Sequence, residues 1–396
     1  MGTLGCVTDQ QLLPGTPTAT EPATTARPTR RWCFGTWLVL VASLGWLLVV
    51  MAHRLLSGRT WVWAPLDLTP PVVFVAMPLL LLGVAPFARP IRWRVIGVLA
   101  LAGVLGAGNS GINVASLWHT PPPAPDGAIA VVSWNTEFWD QDWRAGGEGY
   151  EPEFYRYLRE LDADVYLLKE YLHIRPVQPL VPENALGIDR LARLRAELPG
   201  FHIAVSGKQI TLSRFPILRQ VGLDMRPWLP EDLRTVPPGL EDYPGYLTET
   251  QRTDIQVEGT VVSFYNVHVS QPPVDIYLHR DQVRRTSRVA HHRREASFRA
   301  LRADVERNRH PAVVGADLNT SPAMGMLRLL PDRLVDRTPA IDSIYPGTWF
   351  AGGLQLWQID WLLTTADVAV HRYDLVDPAG LSDHRALRAL LSKEMS

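Results

Sequence analysis

Three long apolar runs in the first third of the chain constrain its fold more than any other feature. They cover residues Trp32–Ala52, about 70–88 and 95 to about 117. A helix needs about 20 apolar residues to cross the hydrocarbon core of a bilayer, and each run approaches that length. Ordinary core helices are shorter and amphipathic. The runs therefore predict three transmembrane helices, which form an anchor over residues 32–117.

The segments that flank the predicted anchor have a different composition. Residues 1–31 are rich in Thr, Pro and Ala and poor in large apolar groups, which predicts a disordered, cytoplasmic N-terminus. Residues 118–127 contain the sequence HTPPPAPDG, which is typical of a stiff linker. The remaining residues, 128–396, are numerous enough to form one large domain.

The distribution of arginine predicts the orientation of the anchor. Three arginines precede the first apolar run, two follow it, three separate the second and third runs, and none follows the third before Arg144. Because cytoplasmic loops carry the excess of basic residues, we expect the N-terminus to lie in the cytoplasm. Residues 128–396 would then lie outside the cytoplasm, held to the cell membrane by a multi-pass anchor.

The net charge argues against one class of site, and the cysteine content excludes another. The formal net charge is −1, whereas a protein that binds a long stretch of duplex nucleic acid usually has a strongly basic face. The two cysteines, Cys6 and Cys33, both precede the domain. The domain therefore has neither disulfides nor a thiolate metal site.

The domain alternates short β-rich runs with a few helical stretches, which predicts α/β or α+β layers. Polar residues stand at several predicted strand ends. They are Asn135, Glu170, Asn266 with His268, Asp317 with Asn319, and Asp383 with His384. Singly, such residues are more typical of turns and caps. Gathered at one edge of packed sheets, they would form an acidic cleft that also carries imidazoles.

This set of side chains favours metal-assisted phosphoryl chemistry. Oxygen ligands without thiolates favour Mg²⁺, with Mn²⁺ or Ca²⁺ as alternatives, over zinc. A carboxylate can orient or deprotonate water, and an imidazole can bond a phosphoryl oxygen or protonate a leaving group. The chain has no Gly-rich phosphate loop with a Lys and no G-x-S-x-G motif. These absences favour direct attack by metal-activated water.

Seven short motifs follow one another along the domain. In order they are SWN, LLKE, LSRFPI, NVH, GADLN, IDWLL and SDH. The series resembles the endonuclease/exonuclease/phosphatase family, which has the deoxyribonuclease I-like fold, over nearly all of residues 128–391. The resemblance implies a four-layer α/β sandwich, with two mainly antiparallel sheets between helices and the site at one end of the sheets.

The resemblance also implies a role for each motif residue. Glu170 would be the principal metal ligand, with Asn135 beside it and Asp383 assisting on the metal or phosphate side. Asp317 would orient or deprotonate the attacking water, and Asn319 would hold the phosphate. His384, oriented by Asp360, would bond the phosphoryl oxygen, and His268 would be a second acid or phosphate contact.

Two positions depart from the family pattern. Lys169 replaces the usual Gln before the metal-binding Glu, and Ala316 replaces the usual Gly before the Asp. Both are neighbours of the proposed ligands rather than ligands, so we expect activity to be retained. Lys169 has two open interpretations: a packed or solvated stem, or a contact to a second phosphate.

A further resemblance concerns the whole arrangement of three spans and an external domain. It is similar to bacterial family members associated with glycopeptide resistance, which implies polyprenyl pyrophosphate of the cell envelope as substrate. One alternative is an extracytoplasmic nuclease or a sphingomyelinase-like phosphodiesterase. Another is an inactive envelope-binding protein, against which the complete set of polar motif residues argues.

Two segments outside the motifs carry open interpretations. A long helix predicted over about 279–309 is rich in arginine, which fits a solvated face or a contact to anionic lipid headgroups or a substrate phosphate. Residues 222–250 are long for a plain connection and contain Trp228, Tyr243 and Tyr246. Such a segment could be a binding lid or could pack on the sandwich.

Overall fold

The computed structural model describes residues 32–146, 148–175, 184–272 and 280–393. The predicted disordered N-terminus, residues 1–31, lies outside these residues. The described chain begins with a group of helices and continues as an α/β domain.

The three apolar runs all form helices, but they differ in length. Helix α1 (Phe34–Leu56) has 23 residues, and α2 (Ala64–Asp67) is a single turn. Helices α3 (Val73–Val84) and α4 (Arg92–Ala107) have 12 and 16 residues. Within the described residues, α1 alone is long and apolar enough to cross a membrane. The prediction of three full spans is therefore wrong, because one helix has the length and composition of a span and the other two are too short.

The third apolar run ends about ten residues earlier than predicted. Polar residues follow α4, and the chain passes through a loop and a 3-10 turn at Val114–Leu117. The Asn113 side chain donates hydrogen bonds to the carbonyl oxygens of Thr338, Ile341 and Ser343, at 3.0, 3.1 and 3.2 Å. The predicted end near residue 117 is wrong because Asn113 binds the α/β domain instead of continuing an apolar helix.

The helical group is docked directly on the α/β domain. His53 near the end of α1 lies 2.6 Å from the carbonyl oxygen of Ala323, and Asn109 donates to the same oxygen at 3.1 Å. Arg328 donates to the carbonyl oxygens of Ser57 and Gly58, at 3.0 and 2.6 Å. The helical group within residues 32–117 therefore packs against the α/β domain and has to be kept in any functional experiment.

Two six-stranded sheets form the centre of the domain. In spatial order, the first consists of β17 (Val368–Val376), β18 (Ala386–Lys393), β1 (Ile129–Asn135), β4 (Val165–Lys169), β8 (Gln209–Ser213) and β7 (His202–Ser206). The second consists of β13 (Leu334–Asp336), β16 (Asp360–Thr365), β12 (Ala312–Asp317), β11 (Thr260–His268), β10 (Thr250–Val257) and β9 (Ile217–Gly222). The β1–β4 and β11–β12 pairs are parallel, and the other pairs are antiparallel.

Smaller elements surround these sheets. Three ribbons pair β2 (Gln141–Asp142) with β3 (Glu148–Gly149), β5 (Leu172–Ile174) with β6 (Ala185–Gly187), and β14 (Trp349–Ala351) with β15 (Leu354–Trp357). The helices are α5 (Glu153–Glu160), α6 (Leu191–Glu197) and α7 (Arg280–Arg307). The remaining 3-10 turns are Trp61–Trp63, Ala85–Phe87, Arg226–Trp228, Glu231–Leu233, Gly325–Leu329 and Thr338–Ala340.

Three groups of buried apolar side chains hold the layers together. The first lies between the sheets and includes Val131, Leu167 and Phe264. Helices α5 and α6 cover the outer face of the first sheet, where Trp134 is buried. Helix α7 covers the outer face of the second sheet with Phe298. Successive side chains of a strand point to opposite faces, so β1 contributes to two of these groups. The order helix, sheet, sheet, helix confirms the predicted sandwich.

Candidate active site

The polar strand ends named from the sequence meet at one edge of the two sheets. Strand register places His268 opposite Asp317 and Asp317 opposite Asp360. Asn135 ends β1 in the first sheet, and Glu170 directly follows the parallel strand β4. Because parallel neighbours end at the same edge, these side chains converge across the gap between the sheets.

Asn135 joins carboxylates from both sheets. Its side-chain nitrogen donates to Glu170 Oε1 at 3.1 Å and to Asp317 Oδ2 at 3.0 Å. Its side-chain oxygen accepts the backbone N–H of Glu137 at 3.1 Å, which fixes the orientation of the amide. Asn135 therefore holds the two acids close together.

Burial changes the protonation of both acids. It raises the pKa of Glu170 to about 7 and that of Asp317 to about 6, where the neighbouring carboxylate of Asp360 adds to the effect. Glu170 and Asp317 are both buried and both bonded to the Asn135 amide, and a divalent cation would stabilise their charged forms. Carboxylate oxygens are also the ligands that Mg²⁺ prefers. The residues present therefore fit a bound metal ion.

A second group also has the composition of a metal site. Ligand atoms of Asp317, Asp360 and His384 lie within 4.8 Å of one another. However, His384 Nδ1 is already 2.9 Å from Asp360 Oδ2, and a cation between them would have to break that bond. The Glu170 side of the cleft is therefore the better metal site.

His384 lies among three carboxylates. Besides its bond to Asp360, its Nε2 atom is 3.7 Å from Asp383 Oδ1 and 3.9 Å from Asp317 Oδ2. Although burial opposes the charged form, these carboxylates raise the pKa of His384 well above its ordinary value. The charged form of His384 is therefore favoured, Asp360 orients its ring, and its Nε2 atom lies on the side of Asp317 and Asp383.

The surroundings of His268, unlike those of His384, disfavour the charged imidazolium. Its Nε2 atom is 3.6 Å from Asp317 Oδ2 and 3.7 Å from Glu170 Oε1. Burial, followed by the positive charges of Lys208 and His384, lowers the pKa of His268 well below its ordinary value. Its Nδ1 atom has no hydrogen-bond partner among the described residues. A neutral imidazole with a free nitrogen can still bond a substrate group.

Asn319 is held by its backbone and by helix α7. It adopts a positive φ of 46°, its N–H donates to Asp317 Oδ1 at 2.9 Å, and its side-chain nitrogen donates to the carbonyl oxygen of Val269 at 2.9 Å. Arg294 of α7 donates to the Asn319 carbonyl oxygen at 3.0 Å. The Arg294 side chain is buried, so the interpretation of α7 as a solvated face is wrong at this position.

Lys169 lies between the sheets rather than in the cleft. Like Leu167, two residues earlier on β4, it points to the inter-sheet side. Its ammonium donates to Ser133 Oγ and to the Leu167 carbonyl oxygen, 3.1 Å away, and the side chain is fully buried. The packed interpretation is confirmed, and this burial contradicts a contact with a second phosphate. Asn266 is also structural, since it donates to the carbonyl oxygens of Leu168 and Ile210.

Two further residues at the site were not recognised from the sequence. Glu137 is buried beside Asn135 and accepts the backbone N–H of Asp383 at 2.9 Å. Lys208 lines the cleft together with Glu170 and His268. The available signals were the position of Glu137 two residues after the SWN motif and the rarity of lysine, which occurs three times in the chain.

The cleft beside these residues has a volume of about 340 Å³. Its other walls include the aromatic and apolar residues Phe138, Leu172, Ile174 and Tyr243, together with the polar residues Ser270 and Gln271. Larger cavities of about 680, 660 and 420 Å³ lie beside the linker at Pro122, between Trp61 and the start of α7, and beside Phe201. None of the three is lined by the polar strand ends, so the smaller cleft is the candidate site.

The raised pKa of Glu170 predicts a pH-dependent stability in the absence of metal. A carboxyl group with a raised folded-state pKa stabilises the fold below its ordinary pKa, and this contribution is lost as the pH rises towards 7. From pH 4 to pH 8, we expect the wild-type full chain in EDTA to lose roughly 3 kcal/mol of stability relative to Glu170→Gln. Thermal unfolding of both proteins measures this difference, and an equal difference at both pH values would contradict it.

Residues 136–384 match the sequence model of the Endonuclease/Exonuclease/phosphatase family. No relative is found among curated proteins. Among solved structures, a family protein from Bacteroides thetaiotaomicron is 15% identical over 68% of this chain and 98% of its own, with a TM-score of 0.48. Mannosyl-6-phosphatase from the same species is 15% identical over 67% and 99%, with a TM-score of 0.46. Humanized D. rerio TDP2 is 12% identical over 68% and 100%, with a TM-score of 0.45. At these values, the structural likenesses say nothing about substrate.

Proposed function

The chain belongs to the endonuclease/exonuclease/phosphatase family, whose members hydrolyse phosphoesters, and from that premise we propose a membrane-anchored, metal-dependent phosphohydrolase with its site outside the cytoplasm. The observation that supports it best is the pair of buried acids, Glu170 and Asp317, held by Asn135 beside the His384–Asp360 pair. Such a set combines a metal site, a base and an oriented imidazolium in one cleft.

The proposed metal ion is Mg²⁺, with Mn²⁺ and Ca²⁺ as alternatives. Glu170 would be its principal ligand, with Asn135 and Asp383 beside it. When bound, the metal neutralises charge on the phosphoryl oxygens. The side-chain oxygen of Asn135 already accepts one N–H and has a second lone pair available for a cation.

Asp317 is the proposed base. It accepts hydrogen bonds from Asn135 and from the Asn319 N–H, so its carboxylate is held in one orientation. Its pKa of about 6 lies near neutral pH, as suits a group that takes a proton from water. In this role Asp317 orients the water molecule that attacks phosphorus and receives its proton.

The imidazoles and Asn319 act on the phosphoryl group. The imidazolium of His384 donates a hydrogen bond to a phosphoryl oxygen, and Asp360 keeps the ring in place. The amide of Asn319 has a second N–H besides the one bound to Val269, and it can hold a phosphate oxygen. His268 offers another contact on the side of Glu170.

The proposed substrate is a lipid-linked phosphate of the cell envelope, with polyprenyl pyrophosphate as the specific candidate. Two observations support it. Helix α1 has the length of a membrane span, and its C-terminal end contacts the domain, so the cleft stays close to the bilayer. The aromatic and apolar walls of the cleft also suit a substrate with an apolar chain.

The experiment that tests the activity offers the full chain, in detergent or nanodiscs, three substrates: polyprenyl pyrophosphate, phospholipid and duplex DNA. We expect phosphate release from the pyrophosphate in Mg²⁺ and none in EDTA. If phospholipid is hydrolysed faster than the pyrophosphate, the protein is a phosphodiesterase. If DNA is hydrolysed faster, the protein is a nuclease. If none of the three is hydrolysed with any divalent metal, the proposal of an enzyme fails.

The proposed orientation has its own prediction. Three arginines precede the first apolar run and two follow it, so with α1 as the span we expect a reporter enzyme fused after Ser396 to be active only outside the cytoplasm. The measurement compares a reporter that works outside the cell with one that works in the cytoplasm, each fused at that position. Activity of the cytoplasmic reporter alone would overturn the orientation.

A further inference from the structure

One positively charged group faces the cleft and has no task in the hydrolysis described above. Lys208 lies in the turn between β7 and β8, its side chain is 4% exposed, and it lines the cleft with Glu170 and His268. Among the described residues it makes no side-chain hydrogen bond and no ion pair; the Tyr243 ring, centred 5.9 Å from Nζ, is its nearest specific contact. An ammonium has three N–H donors, and here they are available to a ligand.

The position of Lys208 is fixed by a contact between two glycines. A Cβ atom on Gly207 would lie 2.7 Å from the Cα atom of Gly245, and one on Gly245 would lie 2.9 Å from that of Gly207. Both residues also have positive φ angles, +59° and +73°, which favour glycine. The segment that carries Tyr243 is thereby pressed against the turn that carries Lys208.

The rest of that segment is packed as well. Leu223, Met225 and Leu229 are buried against the second sheet, and Arg293 lies 3.9 Å from the ring centroid of Tyr246. The interpretation of residues 222–250 as packed on the sandwich therefore holds at these positions, whereas Trp228 is 40% exposed. Tyr243 remains as the part of the segment that reaches the cleft.

Lys208 is charged in this environment. Burial disfavours the ammonium, but Tyr243, Glu249 and Glu170 together raise the pKa of Lys208 above its ordinary value. Glu170 is within electrostatic reach of Lys208 without forming an ion pair with it. The cleft therefore offers a second positive charge next to the proposed metal ligand.

We propose that Lys208, with Tyr243 beside it, forms a subsite for a second phosphate of the substrate, adjacent to the phosphoryl group that is attacked. This inference rests on the proposed hydrolase function and makes the substrate a diphosphate ester rather than a monoester. Beyond Lys208 the cleft is lined by Phe138, Leu172 and Ile174, which suit the apolar part of such a molecule.

The reaction at this subsite balances without a further reactant. Water adds to the terminal phosphorus, the bridging P–O bond breaks, and the organic monophosphate leaves with the electron pair of the bridging oxygen. The proton from water passes to Asp317. Negative charge grows on the leaving phosphate as the bond breaks, and a fixed ammonium beside it stabilises that charge.

The test compares an alkyl diphosphate with the matching alkyl monophosphate on the full chain. We expect Lys208→Met to lower kcat/KM for the diphosphate by about 10²- to 10³-fold, the range found for the loss of one charge-stabilising donor. The kcat/KM for the monophosphate should change by less than about threefold. Lys208→Arg should retain part of the activity on the diphosphate. Lys393→Met, which removes an exposed lysine far from the cleft, is the matched control.

A binding measurement separates this inference from the proposed function. Methylenediphosphonate, which is not hydrolysed, should bind the wild type more tightly than inorganic phosphate does, and Lys208→Met should remove the difference. Equal losses on both alkyl substrates, or unchanged diphosphonate binding in Lys208→Met, would overturn the subsite. If the wild type hydrolyses neither substrate, the proposed function fails, and the binding result still decides whether Lys208 holds a second phosphate.

Discussion

Replacing Asp317 with Asn should lower kcat/KM by about 10³- to 10⁴-fold, the effect of removing a general base from a metal-assisted hydrolysis. The Asp317 carboxylate is fully buried, and Asn135 and the Asn319 N–H orient it. An asparagine fits the same space but cannot take a proton from water. The measurement is steady-state phosphate release by the purified full chain in Mg²⁺.

The control for this prediction is Asp332→Asn. The side chain of Asp332 is 93% exposed. It forms an ion pair with Arg302, away from the cleft. We expect Asp332→Asn to match the wild type. Because Asp317 has a raised pKa, its replacement removes a buried acid that is costly to ionise, so the thermal stability should not fall at pH 8. An active Asp317→Asn protein would contradict the assignment of the base.

The second large effect is expected for His384→Ala, with a loss of about 10²- to 10³-fold in kcat. Asp360 acts through His384, since its Oδ2 atom is 2.9 Å from Nδ1 of that ring. Asp360→Asn should therefore lower kcat about tenfold in the wild type. In the His384→Ala protein, the same replacement should lower kcat almost no further. A double-mutant cycle of kcat measures this coupling.

His310→Ala is the matched control for the imidazole. His310 is exposed and lies just before strand β12, which carries Asp317. Its replacement should leave kcat unchanged. If the effects of Asp360→Asn and His384→Ala simply multiply in the double variant, Asp360 has a role of its own, and the assignment of the pair as one unit is wrong.

The convergence of the polar residues could be predicted from the sequence because of how the strands end. Period-2 alternation and turn residues place Asp317 and Asn319 at the end of β12, and the parallel pairing with β11 brings His268 alongside. Parallel neighbours share an edge, so each strand end could be assigned to the cleft without knowing the full topology. Lys169 was left open from the sequence, and the same alternation explains why it lies between the sheets.

Other features depend on contacts that sequence spacing does not encode. Lys208 reaches the cleft because Gly207 meets Gly245, 38 positions later in the chain. Arg294 is buried where it donates to the carbonyl oxygen of Asn319. The sequence of α7 alone does not distinguish this arginine from the other arginines of the helix. The end of α4 is set by Asn113, whose partners lie more than 220 residues away.

In the apolar runs too, the sequence predicts the presence of helices but not their lengths. Hydropathy predicts where helices form, and helices do form at all three runs. Their lengths, however, depend on where polar groups find partners in the folded domain. Within the described chain, that leaves α1 alone with the length of a membrane span.

The most direct test of the central claim is the rate of phosphate release by the full chain as metal is removed and restored. Asn135 holds Glu170 and Asp317 as a pair of buried acids that a bound divalent cation would stabilise. Hydrolysis should therefore stop in EDTA and return when Mg²⁺ is added in excess, while Glu170→Gln should stay inactive at the same metal concentration. Phosphate release that persists in EDTA, or that Glu170→Gln supports at the wild-type rate, would contradict the metal-dependent site.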